Sequence, residues 1–321
     1  MERFFSCDWG TSSFRLKLVN AKDYSIIAEE KSDQGILRTF ELWRETGSSN
    51  ETRAAFYCRI IESNIKKLEE KLRISSKGLP VILSGMASSN LGICELPYKK
   101  LPFLLDGSDL NIELIAASEE FAHDLMIISG GRTEDDVMRG EETQLVGCSH
   151  SSGKKEFFIF PGTHSKHVVT GDGRAIDLKT YMTGEFFELL SKKSILSPSI
   201  ENNRGEETEN EIKSFEEGIE SGVQSNILNS GFHIRVNSLL NKKSSAENYH
   251  YLSGLLIGTE LKELVNKDLT GITIVGERGL SSRYEKAFQI LNRFLKTPSP
   301  KIEDGETAVI KGQLIVYNCH R

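Results

Sequence analysis

Cysteine is scarce and scattered in this chain. Cys7, Cys58, Cys94, Cys148 and Cys319 are odd in number, and no two of them stand at CxxC spacing. That pattern supports neither a disulfide framework nor a zinc site, and it fits reduced thiols in a cytoplasmic protein. A basic excess is lacking as well. Lys and Arg number 40 against 46 Asp and Glu, a formal charge of −6. Nothing in that balance neutralises phosphates along a duplex, so nucleic acid is not expected as a partner. An anionic small molecule needs only a locally positive pocket and stays open. No uninterrupted apolar run approaches the roughly 20 residues of a membrane-spanning helix. Met1-Glu2-Arg3 runs straight into a short apolar stretch, with no basic and then apolar leader, so neither a membrane nor a targeting segment is expected.

What is present is an ordinary globular composition: 321 residues, 38% hydrophobic and 27% charged, enough for one large or two ordinary domains. Phe4–Cys7 reads as a strand, Asp8-Trp9-Gly10-Thr11-Ser12-Ser13 as a tight turn, and Phe14, Leu16 and Leu18 alternate with Arg15 and Lys17 as a second strand. A third short strand is expected around Ser25–Ala28. Ala54, Cys58, Ile61, Ile65, Leu68 and Leu72 follow spacings of 4, 3, 4, 3 and 4, one apolar stripe on a long helix. Val81–Leu83 and Met126–Ser129 read as buried strands, and their alternation with helical pattern predicts an α/β architecture.

The middle of the chain repeats its opening. Phe157–Phe160 leads into Pro161-Gly162-Thr163-His164-Ser165-Lys166 and then His167–Thr170, and a shift of 152 residues carries Gly10, Thr11 and Ser13 onto Gly162, Thr163 and Ser165. Two Gly-Thr hairpins, one per half, suggest two related lobes. Residues 197–211 and 241–248 are polar and read as solvated stretches. Tyr251–Gly258 opens a helix whose small residues four apart admit another backbone closely. Ile272–Val275 is a buried strand, Gly276–Ser282 a glycine-containing turn, and an amphipathic helix is expected from Arg283 to Leu295.

Three segments can carry chemistry. In Asp8-x-Gly10-Thr11, a carboxylate at a strand end precedes a glycine and hydroxyls. Such a turn can hold hydrated Mg²⁺ beside a polyphosphate, with Thr11 or Ser12 donating to it, although a plain hairpin uses the same residue types. No second Asp follows as in Asp-x-Asp phosphotransferases, which disfavours an aspartyl-phosphate mechanism. In Asp136–Gly147, Gly140 marks a turn and Glu141 falls where a helix begins. There a carboxylate stays ionised and can accept a proton from an attacking hydroxyl, or can serve only the helix dipole. Val275–Tyr284 forms a strand, turn and helix able to admit a base or ribose, with neither Rossmann nor P-loop spacing. His123, His164, His167 and His233 show no metal-ligand spacing; His164, in the second turn, is the candidate among them.

Taken in order, Asp8-Trp9-Gly10-Thr11-Ser12-Ser13-Phe14-Arg15, Ser84-Gly85-Met86-Ala87-Ser88-Ser89, Val137-Met138-Arg139-Gly140-Glu141-Glu142-Thr143-Gln144, Phe160-Pro161-Gly162-Thr163-His164-Ser165-Lys166, Met182-Thr183-Gly184-Glu185, Leu252–Gly258 and Leu280-Ser281-Ser282-Arg283-Tyr284 resemble the 2-dehydro-3-deoxygalactonokinase family from end to end. The resemblance implies the sugar kinase, Hsp70 and actin superfamily: an α/β fold of two ribonuclease-H-like lobes with ATP and Mg²⁺ in the cleft between them. It implies a lobe over 1–141 with the first phosphate loop and the sugar-acid site, and a lobe over 142–321 with the second phosphate loop and the adenosine site. It implies ATP-dependent phosphorylation of 2-dehydro-3-deoxy-D-galactonate on its 6-hydroxyl, and a homodimer. Another sugar or sugar acid on the same fold, or an actin-like or chaperone-like ATP switch, are the alternatives.

Matched motif by motif, Asp8, Gly10, Thr11 and Ser12, and then Gly162 and Thr163, would be the phosphate loops, with Asp8 serving the metal. Gly276, Gly279 and Ser281 would lie near adenosine. Glu141 holds the place of the general base, with Glu142 and Asp136 as alternatives. Arg15, Arg139, His164 and Lys166 are candidate contacts to the substrate carboxylate or the γ-phosphate. The loop from Ser84 to Asn90, including Gly85, Met86 and Ser88, is the candidate for substrate hydroxyl contacts.

Overall fold

The computed structural model describes residues 1–46, 51–151, 153–202, 205–264, 271–292 and 299–321. The chain divides into two compact units. Met1–Gly153, Thr170–Leu178 and Asp304–Arg321 make the first; Lys154–Val169 and Lys179–Glu303 make the second.

In the first unit, β1 (Arg3–Trp9), β2 (Phe14–Asn20) and β3 (Ile26–Ser32) form an antiparallel meander. Helices α1 (Ile36–Thr46) and α2 (Arg53–Leu72) carry the chain over to β4 (Val81–Gly85), which runs parallel to β1. Short strands β5 (Lys99–Lys100), β6 (Phe103–Leu104), β7 (Ile112–Ile115), β8 (Leu125–Ile128), β9 (Gly131–Arg132) and β10 (Val137–Met138) precede helix α3 (Glu141–Gly147). The main sheet has the order β3-β2-β1-β4-β8-β7. Phe5, Cys7, Trp9, Phe14, Leu16 and Leu18 share one core with Phe56, Tyr57, Ile61, Ile65 and Leu68 of α2, so the stripe read from the sequence is the buried face. Thr52 caps α2 by accepting from the Ala55 amide.

The C-terminal helix, Gly305–Cys319, belongs to this unit. It crosses α3 backbone to backbone: a Cβ on Gly312 would lie 1.8 Å from the Thr143 carbonyl oxygen, and one on Gly147 would lie 1.9 Å from that of Ala308. Gln313 then reaches the sheet, its Nε2 donating to the Cys7 carbonyl at 3.0 Å and to Ser84 Oγ at 2.9 Å.

A second sheet, whose residues Thr170–Leu178 fall in the first unit, repeats the plan. Strands β11 (Glu156–Phe160), β12 (Ser165–Gly171) and β13 (Arg174–Tyr181) are followed by α4 (Thr183–Lys193), α5 (Glu209–Gln224), α6 (Ile227–Leu239) and α7 (Ser245–Leu261). Then come β14 (Ile272–Gly276), α8 (Arg278–Leu291) and β15 (Lys301–Asp304). The order β15-β14-β11-β12-β13 is the order of the first unit, with β14 parallel to β11 as β4 is to β1. Three sequential strands, a helical crossover and a fourth strand beside the first is the ribonuclease-H-like arrangement, and it occurs twice. The small residues predicted to admit a backbone do so: a Cβ on Gly254 would lie 2.2 Å from the Phe215 carbonyl oxygen and one on Gly258 would lie 2.4 Å from that of Ile219, both on α5.

Several expectations need correction. Helix α7 starts at Ser245 rather than Tyr251. The polar stretch before it is a capping box, in which Ser244 accepts from the Glu247 amide and Glu247 from that of Ser244. Likewise Thr208 and Glu211 cap α5, at the end of a segment read as loop. Helix α8 starts at Arg278 rather than Arg283, which leaves Glu277 alone between it and β14. Its expected end at Leu295 lies outside the described residues. Helices α1, α4, α5 and α6 and the C-terminal helix are not expected from the sequence. Among the described residues no helix is long and apolar enough to cross a membrane.

Candidate functional site

In open α/β sheets, ligands gather at the carboxyl ends of parallel strands. In the first unit that place is the end of β1 and β4, where Asp8 stands opposite Ser84 and Trp9 opposite Gly85. The turn after β1 is closed by the Gly10 amide donating to the Ser13 carbonyl at 2.9 Å, with Thr11 and Ser12 exposed. It rests on the start of α1: the Ile36 amide donates to the Gly10 carbonyl, and a Cβ on Gly35 would lie 2.3 Å from the Thr11 carbonyl oxygen. Asp8 is 32% exposed, enough to meet a ligand, and Arg15 stands across β2 with Nη1 at 3.6 Å. Burial, together with the charges of Glu141 and Glu306, raises the Asp8 carboxyl above its ordinary range, against the lowering by Arg15 and Lys17. Lys17, buried on the same strand, pairs with Glu306 at 2.6 Å.

Glu141 is the first residue of α3, as the sequence predicts, after a Gly140 with φ of 111° that only glycine adopts readily. One of its carboxylate oxygens accepts from the Arg139 amide at 2.9 Å. The start of α3 packs on the end of β4: a Cβ on Gly140 would lie 3.5 Å from Gly85 Cα, and one on Gly85 would lie 3.3 Å from Asp8 Oδ1. The other candidate bases are placed differently. Glu142 is fully buried and turned back, both its oxygens accepting from the Gly140 amide at 3.0 and 2.8 Å and one accepting from Thr143 Oγ1. Burial and the neighbouring Glu141 charge push its carboxyl up to about 8. Asp136 sits in the turn before β10, its amide bound to Thr133.

The Ser84–Asn90 loop is mostly inward. Ser84 accepts from Gln313, and Ser88 is buried under Arg139, whose Nη1 donates to the Ser88 carbonyl and hydroxyl at 2.7 and 2.6 Å. The same guanidinium lies 4.2 Å from the Tyr98 ring centre, so Arg139 braces this loop. Gly85, at φ 80°, is packed so tightly that a Cβ would lie 2.9 Å from the Trp9 carbonyl oxygen and 3.3 Å from Asp8 Oδ1. Met86 is half-buried and Asn90 exposed.

In the second unit the corresponding place is the end of β11 and β14. Thr163 and His164 are exposed, and a Cβ on Gly162 would meet nothing within 4 Å. This turn too rests on the helix start that follows the third strand: a Cβ on Gly184 would lie 2.6 Å from the Gly162 carbonyl oxygen, and the Glu185 amide donates to the Thr163 carbonyl at 3.0 Å. His164 Nε2 and Glu185 Oε2 are 2.6 Å apart. Lys166 is buried, with Nζ donating to the His164 carbonyl at 2.8 Å, so it supports the turn from beneath. Gly276 closes on Pro161, a Cβ there lying 3.6 Å from Pro161 Cδ and 3.2 Å from Ser281 Oγ. Gly279 is exposed in the first turn of α8, whereas Ser281 is buried and its hydroxyl has no hydrogen-bond partner among the described residues.

Beneath this turn lies a residue that sequence reading missed. Glu260, 2% exposed, accepts from Ser165 Oγ at 2.7 Å and Tyr284 Oη at 2.6 Å, and from the Thr183 hydroxyl, and meets His167 Nε2 at 2.7 Å. Burial pushes this carboxyl up, but the bond and charge of His167 with the Thr183 and Tyr284 hydroxyls outweigh it and hold Glu260 below its ordinary range. Its signal in the sequence is a lone acid closing an apolar helical run, Leu255-Leu256-Ile257-Gly258-Thr259-Glu260-Leu261.

These residues suit a nucleotide and its cation. The exposed second turn leaves room at Gly162 for phosphate to approach backbone amides. Among the described residues no group of three or more His, Cys, Asp or Glu could hold a metal. A single accessible carboxylate, Asp8, matches magnesium, which keeps most of its waters and takes one or two protein oxygens.

Two ribonuclease-H-like sheets, each with a Gly-Thr turn at the end of its first strand and a buttressing glycine, define a protein of the actin-like ATPase and sugar-kinase fold class. Residues 8–314 match the family described as 2-keto-3-deoxy-galactonokinase, and the chain belongs to that family of phosphotransferases. It is 29% identical over 308 residues, 89% of each chain, to a Rhizobium meliloti (strain 1021) protein named "Probable 2-dehydro-3-deoxygalactonokinase DgoK1". It is 28% identical over 298 residues, 90% of each chain, to the 2-dehydro-3-deoxygalactonokinase of Escherichia coli (strain K12). Among solved structures it is similar to a Sinorhizobium meliloti protein assigned as a 2-dehydro-3-deoxygalactonokinase, with a TM-score of 0.74 and 27% identity, covering 97% of this chain and 96% of the other.

Proposed function

We propose that this chain transfers the γ-phosphoryl group of ATP to the 6-hydroxyl of 2-dehydro-3-deoxy-D-galactonate, giving ADP and the 6-phosphate. Membership of the galactonokinase family supports the substrate. The observation that carries the chemistry is the placing of Glu141 at the start of α3, where the preceding Gly140 packs on Gly85 and Gly85 on Asp8. In this reading the primary hydroxyl oxygen forms a bond to the γ-phosphorus as the bond to the ADP oxygen breaks. The hydroxyl proton passes to the Glu141 carboxylate. The Arg139 amide, donating to one of its oxygens, holds that carboxylate in place.

Asp8 would hold the magnesium that accompanies the triphosphate, which when bound neutralises phosphate charge. Thr11 and Ser12 in the first turn, and Gly162 and Thr163 in the second, would donate to phosphate oxygens. Gly276 and Gly279 would border the adenosine. Arg15, half exposed beside Asp8, is the side chain suited to the substrate carboxylate, since its fork can bind both oxygens at once. In this reading the first unit carries the acceptor chemistry and the second the adenosine, so the boundary expected at 141 gives way to one in which residues 142–153 and the C-terminal helix go with the first unit.

The test is ADP release from Mg-ATP with 2-dehydro-3-deoxygalactonate, with its gluconate epimer, and with no sugar acid. Turnover restricted to the galactonate form is the expected result. ADP release indifferent to every sugar acid would overturn the proposed substrate.

A further inference from the structure

We infer that Glu260 is the positioning residue of the second phosphate turn, acting on ATP affinity through the residues that flank the turn. This rests on the kinase reading above and extends it to a side chain outside the matched motifs. Its carboxylate gathers four partners from three different pieces of chain. Ser165 begins the strand that leaves the turn, and His167 follows two residues on, on the same face. Thr183 is the first residue of α4, next to the Gly184 that presses on Gly162 and Thr163. Tyr284 lies on α8, the helix that begins two residues after Gly276.

Each partner is covalently close to a group that would meet the nucleotide, and none of them is itself exposed in the turn. A buried carboxylate can accept from several donors at once, and neither water nor an apolar residue replaces it there. The turn itself has few internal ties. Among the described residues it is held by Lys166 beneath His164, by the Glu185 amide on Thr163 and the Glu185 carboxylate against His164, and by Gly184. Gly184 and Glu185 belong to the start of α4, and Thr183 fastens that start to Glu260. Preorganisation of donors before the ligand arrives lowers the cost of binding, so loosening the anchor is expected to appear in ATP affinity.

The test uses the full chain and the variants Glu260→Gln, Thr183→Val and Thr183→Ser, with Mg-ATP titrated directly in the absence of sugar acid and both Michaelis constants measured. Glu260→Gln turns one acceptor oxygen into a donor and strands at least one partner. The expected outcome is an ATP dissociation constant and KM raised about tenfold or more, with the KM for the sugar acid changed less than about twofold. Thr183→Val is expected to shift the same constants in the same direction, and Thr183→Ser, which keeps the hydroxyl, to restore them. If Glu260→Gln yields no folded protein, the Val and Ser variants at Thr183 decide by themselves. Equal loss of affinity for ATP and sugar acid, or unchanged ATP affinity in Thr183→Val, would overturn the inference. A wild-type protein that binds no Mg-ATP would instead overturn the kinase reading, so the two failures are distinct.

Discussion

At the end of β1 the chain places Asp8, with Arg15 beside it on β2; at the end of β11 it places Phe160 and Pro161, and the carboxylate that reaches that turn, Glu185, comes from α4 and pairs with His164. The two places are otherwise built alike. Each has a Gly-Thr turn, a glycine at the next helix start pressed against that turn (Gly35 and Gly184), and a glycine ending the fourth strand against the residue after the first (Gly85 on Trp9, Gly276 on Pro161). Shape is repeated while charge is not. A close backbone turn serves phosphate wherever it occurs, because amides and hydroxyls suffice for it. Proton transfer and metal binding need carboxylates with adjusted ionisation, and one set of those is enough.

The comparison breaks most visibly at Glu141. Glu141→Gln is expected to lower kcat by about 10²- to 10⁴-fold while ATP binding in a direct titration stays within about twofold. Near-normal turnover in that variant would move the base elsewhere. A smaller effect is expected in the second unit. Because a Cβ on Gly162 meets no atom within 4 Å and its φ is not among the positive ones, Gly162→Val should fold with unchanged thermal stability. It should nevertheless raise the KM for ATP about tenfold by filling the space where phosphate would lie. Unchanged ATP kinetics would show that the second turn does not bind phosphate.

The smallest effect concerns Glu142 and is read in stability. Its carboxyl is raised from 4.5 to about 8 in the folded protein. Between those two values the unfolded chain has released the proton and the folded chain keeps it, so stability declines as pH rises through this window and levels off above it. Urea unfolding of Glu142→Gln from pH 5 to pH 8.5 should show a flatter profile than wild type. An identical slope in the two proteins would show that Glu142 is not the group responsible.

Much of the fold was legible because its strands and turns are local features. The alternation at Phe14–Leu18, the stripe on α2 and the repeat at a shift of 152 residues each lie within a short window or a simple comparison of two windows. The polar starts of α5 and α7 read as loop because capping residues and loop residues are the same types, and only the reciprocal bonds of Thr208 with Glu211 and of Ser244 with Glu247 tell them apart. The exposure of the two turns and the place of Glu141 at a helix start follow from local sequence. The protein partners of Arg139, Ser84, Ser88 and Lys166 do not, because they come from distant segments or from backbone groups that no spacing marks. Polar residues beside a site serve it or brace it with the same chemistry.

By itself the sequence determined the class of the protein, its two-fold internal repeat, the turns that suit phosphate and the acid that opens α3, since each is a statement about residues near one another in the chain. Tertiary structure alone decided the rest. It brought the C-terminal helix into the first unit, where Gln313 bonds to Cys7 and Ser84, 306 and 229 residues away along the chain. It buried Glu142 while leaving its neighbour Glu141 partly exposed. It also gathered Ser165, His167, Thr183 and Tyr284 around Glu260. A buried polar group must find its partners wherever packing puts them, and no spacing along the chain records where that is.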